Sequence, residues 1–297
     1  MPDLTRAEFL VLDERFRGTG GDRWLERAFT GGRWLEGPAY SAAGRFLLFS
    51  DIPNDRVLRY DEISGRTDVF TAPADFANGR TTDRQGRFVS CEHGARRVTR
   101  REHDGSVQVL ADRYQGRRFN SPNDVVVAAD GGIWFTDPSY GIHSDYEGHQ
   151  ADEEAGGRFV YRLDPDGALN AVVQDLSQPN GLAFSADETR LFVVDSEQHQ
   201  IWVYDVDGAD LTGGRLFAAD DLGYDGIRFD AGGRLWAAAH DGVHCYESDG
   251  TLSGKLLVPE ITANLTFGGR QANQLYLTAT TSLYTIRVNF RGARYPG

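Results

Sequence analysis

Lysine is all but missing from this chain of 297 residues, Lys255 being the only one. Loops that close a lysine on a phosphate, and imine chemistry on a lysine amine, have a single candidate residue and are set aside. Cysteine is nearly as scarce. Cys91 and Cys245 are too few and too far apart for a disulfide framework or a zinc site, and read as buried apolar residues with free thiols. Long apolar runs are absent too. The longest near the N-terminus is Phe9-Leu10-Val11-Leu12, too short for the core of an export leader, and nothing is long enough to span a bilayer. The expected location is the cytoplasm, or the periplasm if a leader has been removed. No GxSxG elbow occurs, and Gly18-Thr19-Gly20-Gly21 lacks the third spaced glycine of a dinucleotide site, so it reads as a loop. Positive charge is outweighed. A net charge of -13 leaves no basic face for nucleic acid or an anionic membrane, and neither is expected as a partner.

What the chain does have is a hairpin that repeats. In residues 121–141, Val125-Val126-Val127 and Ile133-Trp134-Phe135 read as two strands joined by the turn Ala129-Asp130-Gly131-Gly132. Antiparallel pairing brings Asn123 and Asp124 to the same edge as Thr136 and Asp137, an edge rich in oxygen ligands. Segments like the second strand begin at Gly44, Gly86, Gly131, Thr189, Gly233 and Asn273, six copies with steps of 42, 45, 58, 44 and 40 residues. Blades of four-stranded propellers repeat every ~40 to 50 residues. A third strand follows each of the first five hairpins, as in Arg56-Val57-Leu58-Arg59-Tyr60-Asp61, and then comes a fourth. The expected fold is all-β, a six-bladed β-propeller of four-stranded antiparallel blades. One domain would span residues 1–297, with the N-terminal segment, around residues 25–29, closing the last blade. The long step marks an insertion at 140–157, where His143, Asp145, Glu147 and His149 could form a metal cluster but read better as a solvated flap.

Eight or nine residues before each repeat mark stand Glu36, Asn78, Asn123, Asn180, Asp225 and Asn264. Equivalent positions on innermost strands converge on a propeller's axis, so these six would form a ring of two carboxylates and four amides. Turn chemistry accounts for Asn78-Gly79, Asn180-Gly181 and Asp225-Gly226, but not for Glu36 or for the shared offset. Oxygen donors without sulfur or imidazole suit a hard cation, and loose geometry with two compensating carboxylates favours calcium. The ends of the second strands add Asp51, Glu92-His93, Thr136-Asp137, Asp195-Ser196 and His240 at the same edge. Singly, each reads as a rim residue bonded to loop backbone; together they would make a polar funnel.

Glu36-Gly37-Pro38, Ser121-Pro122-Asn123-Asp124, Phe135-Thr136-Asp137-Pro138, Gln178-Pro179-Asn180-Gly181 and Asp225-Gly226 together resemble the gluconolactonase family, also called the senescence marker protein-30 or regucalcin-like family. The resemblance implies a six-bladed propeller with one catalytic divalent ion held at Glu36, Asn123, Asn180 and Asp225, and hydrolysis of sugar lactones or related esters. Asn78 and Asn264 fall outside the family's ligand set. The implied partner is a small-molecule lactone. In the implied mechanism the ion polarises the lactone carbonyl, and Asp225 serves as general base or attacks directly, the former being favoured. Asn123, His93, Arg118 and Asp137 are the candidate substrate contacts. A phosphotriesterase-like hydrolase on the same scaffold and a non-catalytic binding propeller are the competing readings.

Overall fold

The computed structural model describes residues 3–293. Alternation along each hairpin decides the architecture. In the third repeat, Val125–Val127 pairs with Ile133–Thr136 in the register Val125 opposite Phe135 and Val126 opposite Trp134. Successive side chains point to opposite faces, so Val125, Val127, Ile133 and Phe135 pack against Val89, Cys91 and Val98 of the preceding repeat. Val126 and Trp134 face the other way, onto Leu182, Phe184, Leu191 and Val193 of the following one. Both faces of the sheet are therefore apolar, and each needs a neighbour. Burying one such side chain contributes about 2 kcal/mol.

Every repeat solves this in the same way. The first four blades are Leu35–Ser41, Phe46–Asp51, Arg56–Asp61 and Arg66–Thr71; Ala77–Thr82, Phe88–Glu92, Arg97–Arg101 and Val107–Ala111; Val125–Val127, Ile133–Thr136, Val160–Leu163 and Leu169–Val173; and Pro179–Phe184, Arg190–Asp195, Gln200–Asp207 and Asp210–Ala219. The fifth holds Ile227–Phe229, Leu235–Ala239, Gly242–Tyr246 and Leu252–Leu257, with Glu8–Val11 as an extra outer strand. In the sixth, Thr262–Gly268, Gln274–Ala279 and Ser282–Arg287 are followed by Trp24–Thr30 and then Asp3–Arg6. The first-named strand of each blade touches its counterpart in both neighbouring blades, which closes a ring of six. Six clusters of buried hydrophobic residues lie among the described residues, one at each junction between blades. The protein is a six-bladed β-propeller.

The N-terminal residues serve two blades. Trp24–Thr30 lies antiparallel to Ser282–Arg287, with Leu283 opposite Phe29. Glu8–Val11 pairs with Leu252–Leu257 in the neighbouring blade, where Phe9 and Phe16 join the cluster around Trp236. Nothing in the apolar run at residues 9–12 distinguishes this edge strand from a loop. Cys91 and Cys245 are buried and unpaired, in the second and fifth blades. Among the described residues no helix is long and apolar enough to cross a membrane.

Candidate active site

In four blades the innermost strand breaks register at the ring residue. Irregularities fall between Glu36 and Ala39, Ala77 and Arg80, Pro179 and Leu182, and Thr262 and Asn264. An extra residue on one strand bends it and re-aims a side chain, here at the same level in each blade. The glycines that follow have a different task from the one turn chemistry assigns. A β-carbon on Gly37 would overlap the Asn78 carbonyl, one on Gly79 the Asn123 carbonyl, one on Gly181 the Asp225 carbonyl, and one on Gly226 the Asn264 amide. Only Gly37 among these has positive φ. They are glycine because Asn78, Asn123, Asp225 and Asn264 each lie against the backbone of the blade before, and Gly79 N–H and Gly226 N–H donate across that gap to the carbonyls of Asn123 and Ala263.

Glu36, Asn78, Asn123, Asn180 and Asp225 line one cavity of about 220 Å³, walled further by Trp34, Tyr140, Glu147, Ser196, Tyr224 and the rim residues His199, His240 and Ile261. Asn264 does not line it. Its amide nitrogen donates to Glu36 Oε2 at 2.9 Å and its oxygen accepts from Leu265 N–H at 2.8 Å, so its role is to hold the Glu36 carboxylate. Asn180 is oriented from behind. Ser196 Oγ gives its proton to the Tyr224 carbonyl at 2.7 Å, leaving only an acceptor for the Asn180 amide nitrogen at 3.0 Å, and the Asn180 oxygen faces the other way. The Asn123 side chain has no protein hydrogen bond among the described residues.

Charge in the cavity is crowded. Burial, followed by the neighbouring Asp124 carboxylate, pushes the Glu36 carboxyl up to about 7, while the hydrogen bonds from Gly37 N–H and Asn264, and then the Arg228 charge, pull it back. Asp225 is raised by burial and then by the charges of Glu36, Asp124 and Glu147. Burial alone lifts Glu147 to about 7. Asp124 itself is paired with Arg228 at 3.2 Å. Two cavity carboxylates that resist ionising together, beside asparagine side chains and no sulfur, fit a hard divalent cation. Among the described residues no group of three or more His, Cys, Asp or Glu is arranged to hold a metal, so amide oxygens would have to complete any such set.

Other expected site residues lie elsewhere. The Asp137 carboxylate, raised to about 8 by burial, accepts from the N–H groups of Asn120 and Ser121 at 2.9 and 2.8 Å. Asp51 accepts likewise from Arg33 N–H, and Asp195 from Ser177 and Gln178 N–H. These aspartates clasp the loops that deliver Glu36, Asn123 and Asn180. Glu92 is taken by Arg97 and Thr99. Arg118 donates to the Ala95 carbonyl at 3.0 Å, and His93 is fully buried behind Asn78, its ring 3.2 Å from the amide nitrogen. None of His93, Arg118 and Asp137 lines the cavity; of the expected funnel, Ser196 and His240 do.

The insertion is folded onto the cavity's edge. His143 is bonded to Ser139, the Asp145 carboxylate receives Gln150 N–H, and His149 stands edge-on to Phe76. These three stay exposed while Glu147 turns inward. Trp34, Gly223 and Thr262 each precede a ring residue by two positions, an offset that would have found them in the sequence.

Fold and site together define a propeller whose axial cavity, lined by acids and amides, is built to receive a small molecule. A family model described as the SMP-30/Gluconolactonase/LRE-like region matches residues 34–281, a span containing all six ring positions. The chain belongs to the SMP-30/gluconolactonase/LRE-like family. It is 31% identical over 288 residues to a gluconolactonase of Zymomonas mobilis, covering 88% of this chain and 80% of that one. A pentonolactonase of Haloferax volcanii is 30% identical over 255 residues, covering 82% and 80%. The solved structure of a gluconolactonase from Xanthomonas campestris superposes with a TM-score of 0.91 at 37% identity, covering 96% of this chain and 97% of that one.

Proposed function

We propose that this chain is a lactonase that opens sugar lactones by hydrolysis, using one divalent cation, calcium, held by Glu36, Asn123, Asn180 and Asp225. The observation that carries the reading is the meeting of two like-charged carboxylates and three asparagine side chains in one cavity, in a chain whose relatives include lactonases of two sugar classes. Bound there, the cation would compensate the two carboxylates and supply Lewis-acid polarisation of the lactone carbonyl.

The chain's own residues do the rest. Asp225 takes a proton from the attacking water as the water oxygen bonds to the carbonyl carbon. Asn123 orients the lactone. The ring C–O bond then breaks, and the departing alkoxide needs a proton. Glu147, whose carboxyl burial keeps protonated near neutrality, lines the cavity and supplies it. Trp34, Tyr140 and Tyr224 wall the cavity. His93, Asp137 and the neighbouring clasps hold the ring in place without touching substrate.

Acid release from a panel of aldonolactones, measured by pH-indicator titration on chelator-treated protein with and without added calcium, tests this. Hydrolysis that vanishes on chelation and returns with calcium is expected. Turnover indifferent to the chelator would refute the cation's part, and no turnover of any aldonolactone would refute the activity.

A further inference from the structure

Glu147 lines the cavity from a flap that belongs to the third blade, and burial alone lifts its carboxyl to about 7. Among the described residues that carboxyl has no hydrogen bond and no ion pair, so no side-chain partner aims it. Its backbone must do so. The flap reaches across to the second blade, where the Glu147 carbonyl lies 3.0 Å from His93 Nδ1 and the His149 ring stands edge-on to Phe76, 5.2 Å between centroids. A carbonyl can only accept, so Nδ1 carries the hydrogen. Burial keeps the imidazole neutral, pushing its pKa down to about 4, and Nε2 is then the acceptor for the Asn78 NH₂ at 3.2 Å. Both nitrogens of a fully buried histidine are thereby committed, one to the ring of axial residues and the other to the flap. Packing reinforces the bond. A β-carbon on Gly141 would overlap the His93 ring, and one on Gly148 would overlap the Gly141 carbonyl, so imidazole and flap are stacked without room between them. Gly141 N–H donates to Ser121 Oγ at 3.0 Å and its carbonyl accepts from His149 N–H at 3.1 Å, which closes the turn that carries Glu147.

We infer that His93 is the positioning residue of the general acid: its Nδ1–H holds the Glu147 carbonyl and so keeps the carboxyl turned into the cavity, where it gives its proton to the departing ring oxygen of the lactone. The inference rests on the lactonase reading of the site. His93 touches neither substrate nor cation. It acts through the flap, because an acid with no side-chain partner loses its place as soon as its main chain is released.

The test measures hydrolysis of glucono-1,5-lactone at saturating calcium by wild type, His93→Phe, His93→Gln, Glu147→Gln and the double variant His93→Phe with Glu147→Gln. His93→Phe fills the space and cannot hold the carbonyl. Its kcat should fall about ten- to a hundredfold, the cost of moving a reacting group by ~1 Å, with calcium affinity unchanged by calorimetry. In the Glu147→Gln background the same replacement should change kcat by less than about threefold, since substitutions that act through one group do not add. His93→Gln brings an NH₂ for the carbonyl and an oxygen for Asn78, and should regain most of the loss. Gly148→Ala pushes the flap off from its outer side without touching the imidazole and should repeat the loss, again only where the Glu147 carboxyl is present; it carries the test alone if His93→Phe does not fold. Equal losses with and without the Glu147 carboxyl would overturn the inference, as would wild-type kcat in His93→Phe or a calcium affinity about tenfold weaker in that variant. A wild type inactive on the lactone would overturn the lactonase reading and this inference with it, whereas an active wild type with additive losses overturns the inference alone.

Discussion

Replacing Glu36 by glutamine should make the metal-free protein more stable and the calcium-loaded protein less so. The Glu36 carboxyl ordinarily titrates at 4.5 and is lifted to about 7 in the folded state, first by burial. The folded state therefore binds its proton more tightly than the unfolded state does. Stability falls as pH rises from the unfolded value to the folded one and then levels off. At 1.36 kcal/mol per pH unit, the penalty at pH 8 is about 3 kcal/mol, an order-of-magnitude figure for two interacting acids. Glutamine carries no charge and escapes it. Glu36 Oε2 accepts from Gly37 N–H and Asn264, and a turned carboxamide that loses one of these bonds returns roughly 1 kcal/mol. The net gain of about 2 kcal/mol corresponds to about 3 °C in Tm at this chain length. Thermal melts of chelator-stripped protein at pH 5 and pH 8 measure it: the variant should be ahead at pH 8, and at pH 5 the advantage should largely vanish. Saturating calcium should reverse the order at pH 8, because binding stabilises wild type by RT ln(1 + [Ca]/Kd) and the variant has a weaker site. A stripped variant less stable than wild type at pH 8, or a difference independent of pH, would refute the reasoning.

Asp225→Asn should lose a factor of ~10² to 10⁴ in turnover that saturating calcium does not restore, since it removes charge and general base together; occupancy and rate measured side by side would settle whether Asp225 is more than a ligand. Glu147 acts in its protonated form, so wild-type kcat should decline as pH rises through the Glu147 pKa. Glu147→Gln should be slower throughout and lack that alkaline limb; an unchanged pH–rate profile would place the acid elsewhere. Gly181→Ala fits the backbone torsions but drives a methyl into the Asp225 carbonyl, and should cost about 1 to 3 kcal/mol in denaturant unfolding and weaken calcium binding.

The blades were legible because alternation has a period of two and the repeat a period near that of a blade, so Val125–Val127 and Ile133–Thr136 announce their pairing and their two apolar faces. The ring was legible through its constant offset from the repeat marks. Offsets do not tell a ligand from a clasp, however. Asp51, Asp137 and Asp195 share a position as regular as the ring's, and only the distances to loop N–H groups reveal that they hold backbone. Asn-Gly and Asp-Gly looked like turn chemistry, whereas the glycine answers to the next blade's backbone, a contact with no signature in local sequence. Glu147 was illegible for a related reason. Its loop is polar throughout, and what turns it inward is Gly148 against Gly141 and its own carbonyl on His93, a contact 54 residues away.

The most direct test is a titration of chelator-stripped protein with calcium in which bound ion and gluconolactone hydrolysis are measured on the same samples. A single ion per chain is expected, with turnover rising in proportion to occupancy and affinity lowered by both Glu36→Gln and Asp225→Asn. Full turnover in the stripped protein, or an ion whose affinity is indifferent to both substitutions, would contradict it.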